Sequence, residues 1–236
     1  MKISDIQVSY IQHCGDDLSV VNAARVSFHK ESTYDWYDAD GRGPSDGPSP
    51  CGKYFNIPKI REQDKKLINY LAKHKHFSPF NHSFITLRIK APVFVARQLV
   101  KHKFMPFNEV SRRYVTEEPE FYFPTHWRKS AENIKQGSHD KEIVNFVTIE
   151  PNIEMALAGY KQLLERKVAP EQARMILPQN MMTEWWWSGT LGAYCDMLRL
   201  RLDSHTQQET REVANRAYKI IEPLFPVSVK ALLGET

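Results

Sequence analysis

The segment SFITLRIKAPVFVARQ, residues 83–98, constrains the fold more than any other stretch. Phe84, Thr86 and Arg88 alternate with Ile85, Leu87 and Ile89. A period of two puts alternate side chains on opposite faces of a sheet, so a strand is predicted over 83–92. Pro92 has no N–H to give a ladder and carries the φ of a helical first turn. A helix is therefore predicted over about 93–103, starting where the strand stops.

Other elements read as a mixture around this pair. Residues 1–13 alternate in part and suit a strand, and DDLSVVNAARVSF (16–28) suits a helix with Val20, Ala23, Ala24 and Ser27 on one face. A helix over about 61–75 places Leu67, Ile68 and Leu71 together, and a long one covers about 150–167. EFYFPTHWR is extended; Pro170 and Pro178 bracket a short helix; NMMTEWWWSG (180–189) suits a strand or the start of a buried helix. A helix follows to about Leu202. The last predicted helix opens on a Ser204–Gln207 capping box and buries Val213, Ala217, Ile220, Ile221 and Leu224. Gly, Pro, Asp and Ser at 38–50, and polar residues at 129–140, mark two surface loops. With no repeat and no βαβ rhythm, the expected class is α+β: a mixed or antiparallel sheet packed with helices, one domain over 1–236.

Several function classes drop out. The longest apolar run, 91–96, is six residues, far short of a bilayer span. No apolar signal stretch follows Met1, and Cys14, Cys51 and Cys195 are odd in number and widely spaced, so a reducing cytoplasmic setting is expected. A net charge of +4 suits anionic small substrates better than a nucleic-acid duplex. There is no dinucleotide fingerprint, P-loop or serine elbow, and His74, His76 and His82 match no zinc spacing, so no metal is expected.

Chemistry concentrates in VKHKFMPFNEVSRRY, 100–114. Gln98, Lys101 and His102 are three and four apart and leave one side of the predicted helix. After Pro106 come Asn108, Glu109, Ser111, Arg112 and Arg113. Lys and Arg suit phosphates, and Phe104 and Phe107 suit flat rings. Those residues fit a nucleotide or flavin pocket and equally a salt-bridged loop over an aromatic core. Arg174, inside apolar EQARMILP, either snorkels to solvent or reaches into a cleft. In LRLRLDSH, Arg199 and Arg201 precede His205, which opens the predicted last helix, a setting that draws anions.

In order and spacing these pieces resemble the flavin-dependent thymidylate synthases. That family's Arg-His-Arg, seven residues, then Ser is present as Lys101-His102-Lys103, seven residues, Ser111. DLSVVNAARVSF, SPFNHSFITLRIKAP, EQARMILP and LRLRLDSHTQQE extend the similarity from about 15 to about 215. The resemblance implies methylation of dUMP to dTMP, with methylenetetrahydrofolate as carbon donor, FAD as flavin and NADPH as reductant. It implies a homotetramer with shared sites. It puts dUMP on Gln98, Lys101, Glu109, Ser111, Arg112, Arg113, Arg174 and Arg201, with Arg201 stabilising ionised uracil N3. FAD falls to Ser78, Lys101, His102, Lys103, Phe104, Glu109 and His205, and to Thr190 and Asp196, where some members carry flavin-binding Asn and Arg. Two rivals remain: a pyrimidine nucleotide hydroxymethylase on the same scaffold, and a nucleic-acid module using Lys101, Lys103, Arg112 and Arg113, which requires steep salt dependence.

Lysine at 101 and 103 keeps the charge of the family's arginines but not their planar two-pronged grip. Lys101→Arg with Lys103→Arg is expected to slow FAD release about tenfold, read by flavin fluorescence after dilution; an unchanged rate counts against it.

Overall fold

A computed structural model describes residues 1–38, 43, 57–130, 143–145 and 147–234. The predicted loops at 38–50 and 129–140 lie outside the described residues except at 38, 43, 129 and 130. Among the described residues the strands are β1 (Lys2–Ile3), β2 (Gln7–Cys14), β3 (Asp35–Tyr37), β4 (Ile57–Lys59), β5 (Phe84–Pro92), β6 (Phe107–Glu109), β7 (Glu120–Phe121), β8 (Trp127–Arg128), β9 (Ile143–Val144) and β10 (Met182–Thr190). The helices are α1 (Asp17–Arg25), α2 (Glu62–Lys73), α3 (Val93–Leu99), α4 (Glu150–Glu165), α5 (Pro170–Ala173), α6 (Leu191–Arg201), α7 (Gln208–Ile221) and α8 (Pro226–Leu233). None of the helices is long and apolar enough to cross a membrane. Strands and helices divide between two compact units.

The first unit comprises Met1–Ile11, Thr86–Ser188 and Met197–Ala217. It holds most of a four-stranded sheet in the order β2-β5-β10-β6. β6 runs antiparallel to β10, with Glu109 opposite Trp185 and Phe107 opposite Trp187, while β1 and β7 pair in parallel. The alternation of β5 is realised: Leu87, Ile89 and Ala91 are buried, and Arg88 is exposed. Thr86 departs from it. The side chain is buried, and its hydroxyl meets Ser188 Oγ at 3.0 Å across the sheet. The 182–190 segment is a strand: Trp185 and Trp187 are buried, and Trp186 between them is half exposed. Each fully buried side chain of this kind contributes about 2 kcal/mol relative to exposure. A second cluster, Phe121, Ile153, Leu157, Tyr160 and Ala173, closes α4 over β7 and α5.

Pro92 ends β5 and caps α3 with φ −65° and ψ 151°. The free N–H groups of Val93 and Phe94 are taken by the carbonyls of Met181 and Gln179, at 2.9 and 3.2 Å. The helix predicted over 93–103 stops at Leu99. His102 N then bonds Leu99 O in a tight turn, and Phe104 adopts φ 61°, so the chain reverses before Pro106. The Ser204–Gln207 capping box is not formed. The first α7 bond is Arg211 N to Gln207 O, and Ser204 O accepts instead from Arg211 Nη1. His205 therefore sits in the preceding turn, with its N–H on Asp203 Oδ1. The predicted stripe keeps Val213, Ala217 and Ile221 fully buried, with Ile220 and Leu224 half-buried.

The second unit comprises Gln12–Ile85, Gly189–Asp196 and Tyr218–Thr236. α1 opens on an Asp16–Ser19 capping box. Its buried face is Asp17, Val20 and Val21, and Ser27, expected on it, is exposed in a 3-10 turn, because the helix ends at Arg25. α2 buries Asp64, Ile68 and Leu71 and packs against α8. The fully buried Asp64 is held by Arg25 and by Ser32 Oγ. α8 was not predicted; the helix expected to be last is followed by another. α8 has no side-chain cap of its own. Asp17 supplies it from the first turn of α1, accepting from Val227 N and Ser228 N at 2.8 and 2.9 Å. Burial pushes the Asp17 carboxyl up, against the pull of Ser228 and those two N–H groups. Asp17→Ala leaves them unpaired and is expected to cost about 1–2 kcal/mol, seen as a lower midpoint in thermal denaturation.

Candidate functional site

A cavity of about 960 Å³ opens in the first unit. From α3 and its C-cap it is lined by Val93, Ala96, Arg97 and Val100. At roughly 100° per residue these share one side of the helix, and Gln98 faces nearly the other way. From the following segment come Glu109, Ser111, Arg112 and Arg113, and Arg174 closes the rim. With Phe107, six residues singled out from the sequence thus meet here.

Each is placed by local structure. β6 pairs with β10, which sets Glu109 near Thr183, and Thr183 Oγ1 donates to Glu109 Oε1 at 2.5 Å. Ser111 Oγ accepts from Arg113 N and Nε at 3.3 and 3.2 Å. That bond folds the Arg113 guanidinium back along its own turn, over the Tyr114 ring at 5.0 Å. Arg112 Nη1 donates to the Glu117 carbonyl. Arg174, exposed on a 3-10 turn after α5, donates from Nε to Glu171 O at 3.3 Å. Lys90 pairs with Glu120 on the cavity wall and holds that carboxyl below the usual carboxylate range.

A second group gathers on the far side of α3. Arg201, at the end of α6, donates from Nε to His102 Nε2 at 3.0 Å and from Nη2 to the Gln98 carbonyl at 3.1 Å. A ring nitrogen that accepts carries no proton, so the His102 proton, when neutral, is on Nδ1. The His102 ring meets Trp187 edge-on at 6.3 Å. Burial lowers the Arg201 pKa, because a guanidinium stripped of water is less comfortable charged. The Gln98 amide is tied to Gln207 and Thr210. Lys101 does not join Gln98 and His102 as the helical spacing suggested, because the helix has already ended. Lys101 and Lys103 are exposed, and among the described residues neither has an ion-pair partner. Phe104 is 85% exposed at φ 61°. A bulky residue there is strained, and an exposed one gains nothing from its own core. His205 is exposed beside Asp203, at 2.9 Å, and its backbone N–H is the main cause of the lowered Asp203 pKa.

The remaining three predicted residues belong to the second unit. Ser78 starts an exposed 3-10 turn. Thr190 Oγ1 donates to Asn81 Oδ1 at 2.8 Å and accepts from Ala193 N, which caps the start of α6. Gly192 packs closely here: a Cβ would lie 2.6 Å from Asn81 Oδ1 and would push that side chain off Thr190. Asp196 is exposed on α6. Sequence reasoning missed Arg97, Thr183 and Gln207. Arg97 was signalled by its spacing from Val93; the other two act through contacts across the fold that no local pattern marks.

Comparison with known proteins gives one consistent result. The family model described as thymidylate synthase complementing protein matches residues 9–227. The flavin-dependent thymidylate synthase of Kosmotoga olearia is 37% identical over 232 residues, 96% of this chain and 90% of that one. The flavin-dependent thymidylate synthase of Thermus thermophilus is 34% identical over 225 residues, covering 94% and 73%. Among solved structures, the UMP/dUMP methylase PolB from Streptomyces cacaoi, bound with 5-Br dUMP, gives a TM-score of 0.76 at 27% identity. That match covers 98% of this chain and 96% of the other.

The cavity's cations suit a phosphate. Exchanging Arg113 and Arg174 together for glutamine is expected to weaken binding of inorganic phosphate at least about tenfold in isothermal titration.

Proposed function

Since the chain belongs to the flavin-dependent thymidylate synthase family, we propose that it methylates dUMP at C5 to give dTMP. The observation that carries this reading is the convergence of Glu109, Ser111, Arg112, Arg113 and Arg174 on one cavity, with Arg201 and Gln98 on the reverse of the same helix. Arg113 and Arg174 hold the nucleotide phosphate; Glu109, steadied by Thr183, and Ser111 orient its polar groups. The name methylase on the PolB neighbour favours a methyl product over a hydroxymethyl one.

Arg201 is the residue assigned to catalysis. Its Nε and one Nη2 proton are already engaged, so the guanidinium is fixed in place before substrate arrives. A fixed, half-desolvated cation beside uracil N3 stabilises the negative charge that forms when N3 loses its proton, and that charge enriches C5. Methylenetetrahydrofolate is the carbon donor, and NADPH the reductant.

FAD is the cofactor of this reading, and bound FAD supplies the hydride. The residues fit it in chemistry: two exposed ammonium groups, Lys101 and Lys103, for its diphosphate, and the outward Phe104 ring for a flat surface. His102 and His205 add polar contacts, and Ser78, Thr190 and Asp196 are assigned to the same cofactor.

Two half-sets of nucleotide residues on opposite sides of α3 favour assembly. In a homotetramer the Gln98–Arg201 side of one copy completes the cavity of another, with the exposed Lys101 reaching in from the turn that follows. The family match over residues 9–227 runs through residues of both compact units, which favours one catalytic domain. Cys14 and Cys195, neither of them in a disulfide, suit a reducing cytoplasm.

The purified protein is expected to show a visible flavin band that NADPH bleaches. Incubated with dUMP, methylenetetrahydrofolate and NADPH, it is expected to release dTMP, read by product mass. Arg201→Ala is expected to lower kcat by about a hundredfold or more. A colourless protein, or a product other than dTMP, overturns the reading.

A further inference from the structure

The Gln98 amide is held by a chain of hydrogen bonds whose direction is decided at its far end. Arg128 Nη2 lies 2.9 Å from both carboxylate oxygens of Glu209, and the two side chains are 12% and 6% exposed. A carboxylate facing a guanidinium accepts hydrogen bonds and donates none. The Gln207 atom 2.9 Å from Glu209 Oε2 is therefore its Nε2, which turns its Oε1 the other way. That oxygen only accepts, so the Gln98 atom 2.5 Å from it is Nε2. Gln98 Oε1 receives the hydroxyl proton of Thr210 at 3.1 Å, and Thr210 is fully buried. An amide whose ends are alike in shape has no intrinsic preference between two orientations. Here one ion pair removes the choice.

What the chain leaves over is specific. Gln98 Nε2 has two protons, and Gln207 takes one. Among the described residues nothing takes the second, which can meet an oxygen, whether a carbonyl of the base or an oxygen of the phosphate. In the reverse orientation the amide would set its own oxygen against that acceptor.

We propose that Gln207, backed by Glu209, is a positioning residue for the nucleotide: it fixes the Gln98 amide so that an N–H is presented to an oxygen of the bound substrate. This rests on dUMP being the substrate. Gln207 does not touch the nucleotide; its effect passes through Gln98.

The test is a double-mutant cycle on the dUMP dissociation constant of the assembled, flavin-loaded protein, measured by isothermal titration. Gln207→Leu is expected to weaken dUMP about tenfold. The same change in a Gln98→Met background is expected to weaken it less than about twofold, because the group it positions is gone. Thr210→Val, close in shape and less disruptive to the core, is expected to show the same pattern with a several-fold loss. Multiplying effects in both cycles, or unchanged dUMP binding in Gln207→Leu, overturn the proposal. A misfolded helix would weaken dUMP in the Gln98→Met background as well, so it cannot mimic the expected result. Repeating the cycle with deoxyuridine locates the acceptor: a retained penalty puts it on the base or sugar, and a lost penalty on the phosphate. If the wild-type protein binds no dUMP, the substrate assignment itself falls, which is a different outcome from additive variants of a protein that binds it.

Discussion

The junction at Pro92 governs where the functional side chains lie. A strand hydrogen-bonds along its length, while a helix begins with free N–H groups. Here Val93 and Phe94 give theirs to the carbonyls of Met181 and Gln179, in the segment that leads into β10. α3 is thereby anchored to the strand that pairs with β6, and β6 carries Glu109. Once that angle is set, the seven residues of α3 have no freedom to choose sides. Arg97 faces the cavity, and Gln98, its neighbour in sequence, faces Gln207.

The two sides of α3 handle charge differently. Cavity arginines Arg112 and Arg174 lie near the surface and donate to backbone carbonyls of their own turns. Arg201 is less solvated and fully oriented. Its charge is costly in the resting protein, and for the same reason it would act strongly on an anion placed beside it.

Much of this was legible in the sequence. The alternation in β5 and the spacing in α2, α4 and α7 are local signals, and the elements formed where those signals stood. The clustering of Glu109 with Ser111, Arg112 and Arg113 was legible because they are adjacent along the chain. Boundaries were less so. The apolar and basic run after Leu99 continues a helical pattern, but the turn at 101–104 ends the helix with no glycine to announce it. Ser204 has the right neighbours for a capping box, yet the turn at Asp203 moves the start of α7 to Gln208. α8 was missed because its cap is not local, and Thr183 and Gln207 because a hydrogen-bonding side chain has no periodicity.

That remote cap has a consequence for biosynthesis. Asp17 finds its acceptor duties only at Val227 and Ser228, 210 and 211 positions later. A nascent chain emerging from the ribosome exposes α1 long before α8 exists. Until then this carboxylate has nothing to cap and remains in water. The unit containing both helices cannot close cotranslationally from its first segment; it waits for the stretch around Val227 and Ser228 to be made.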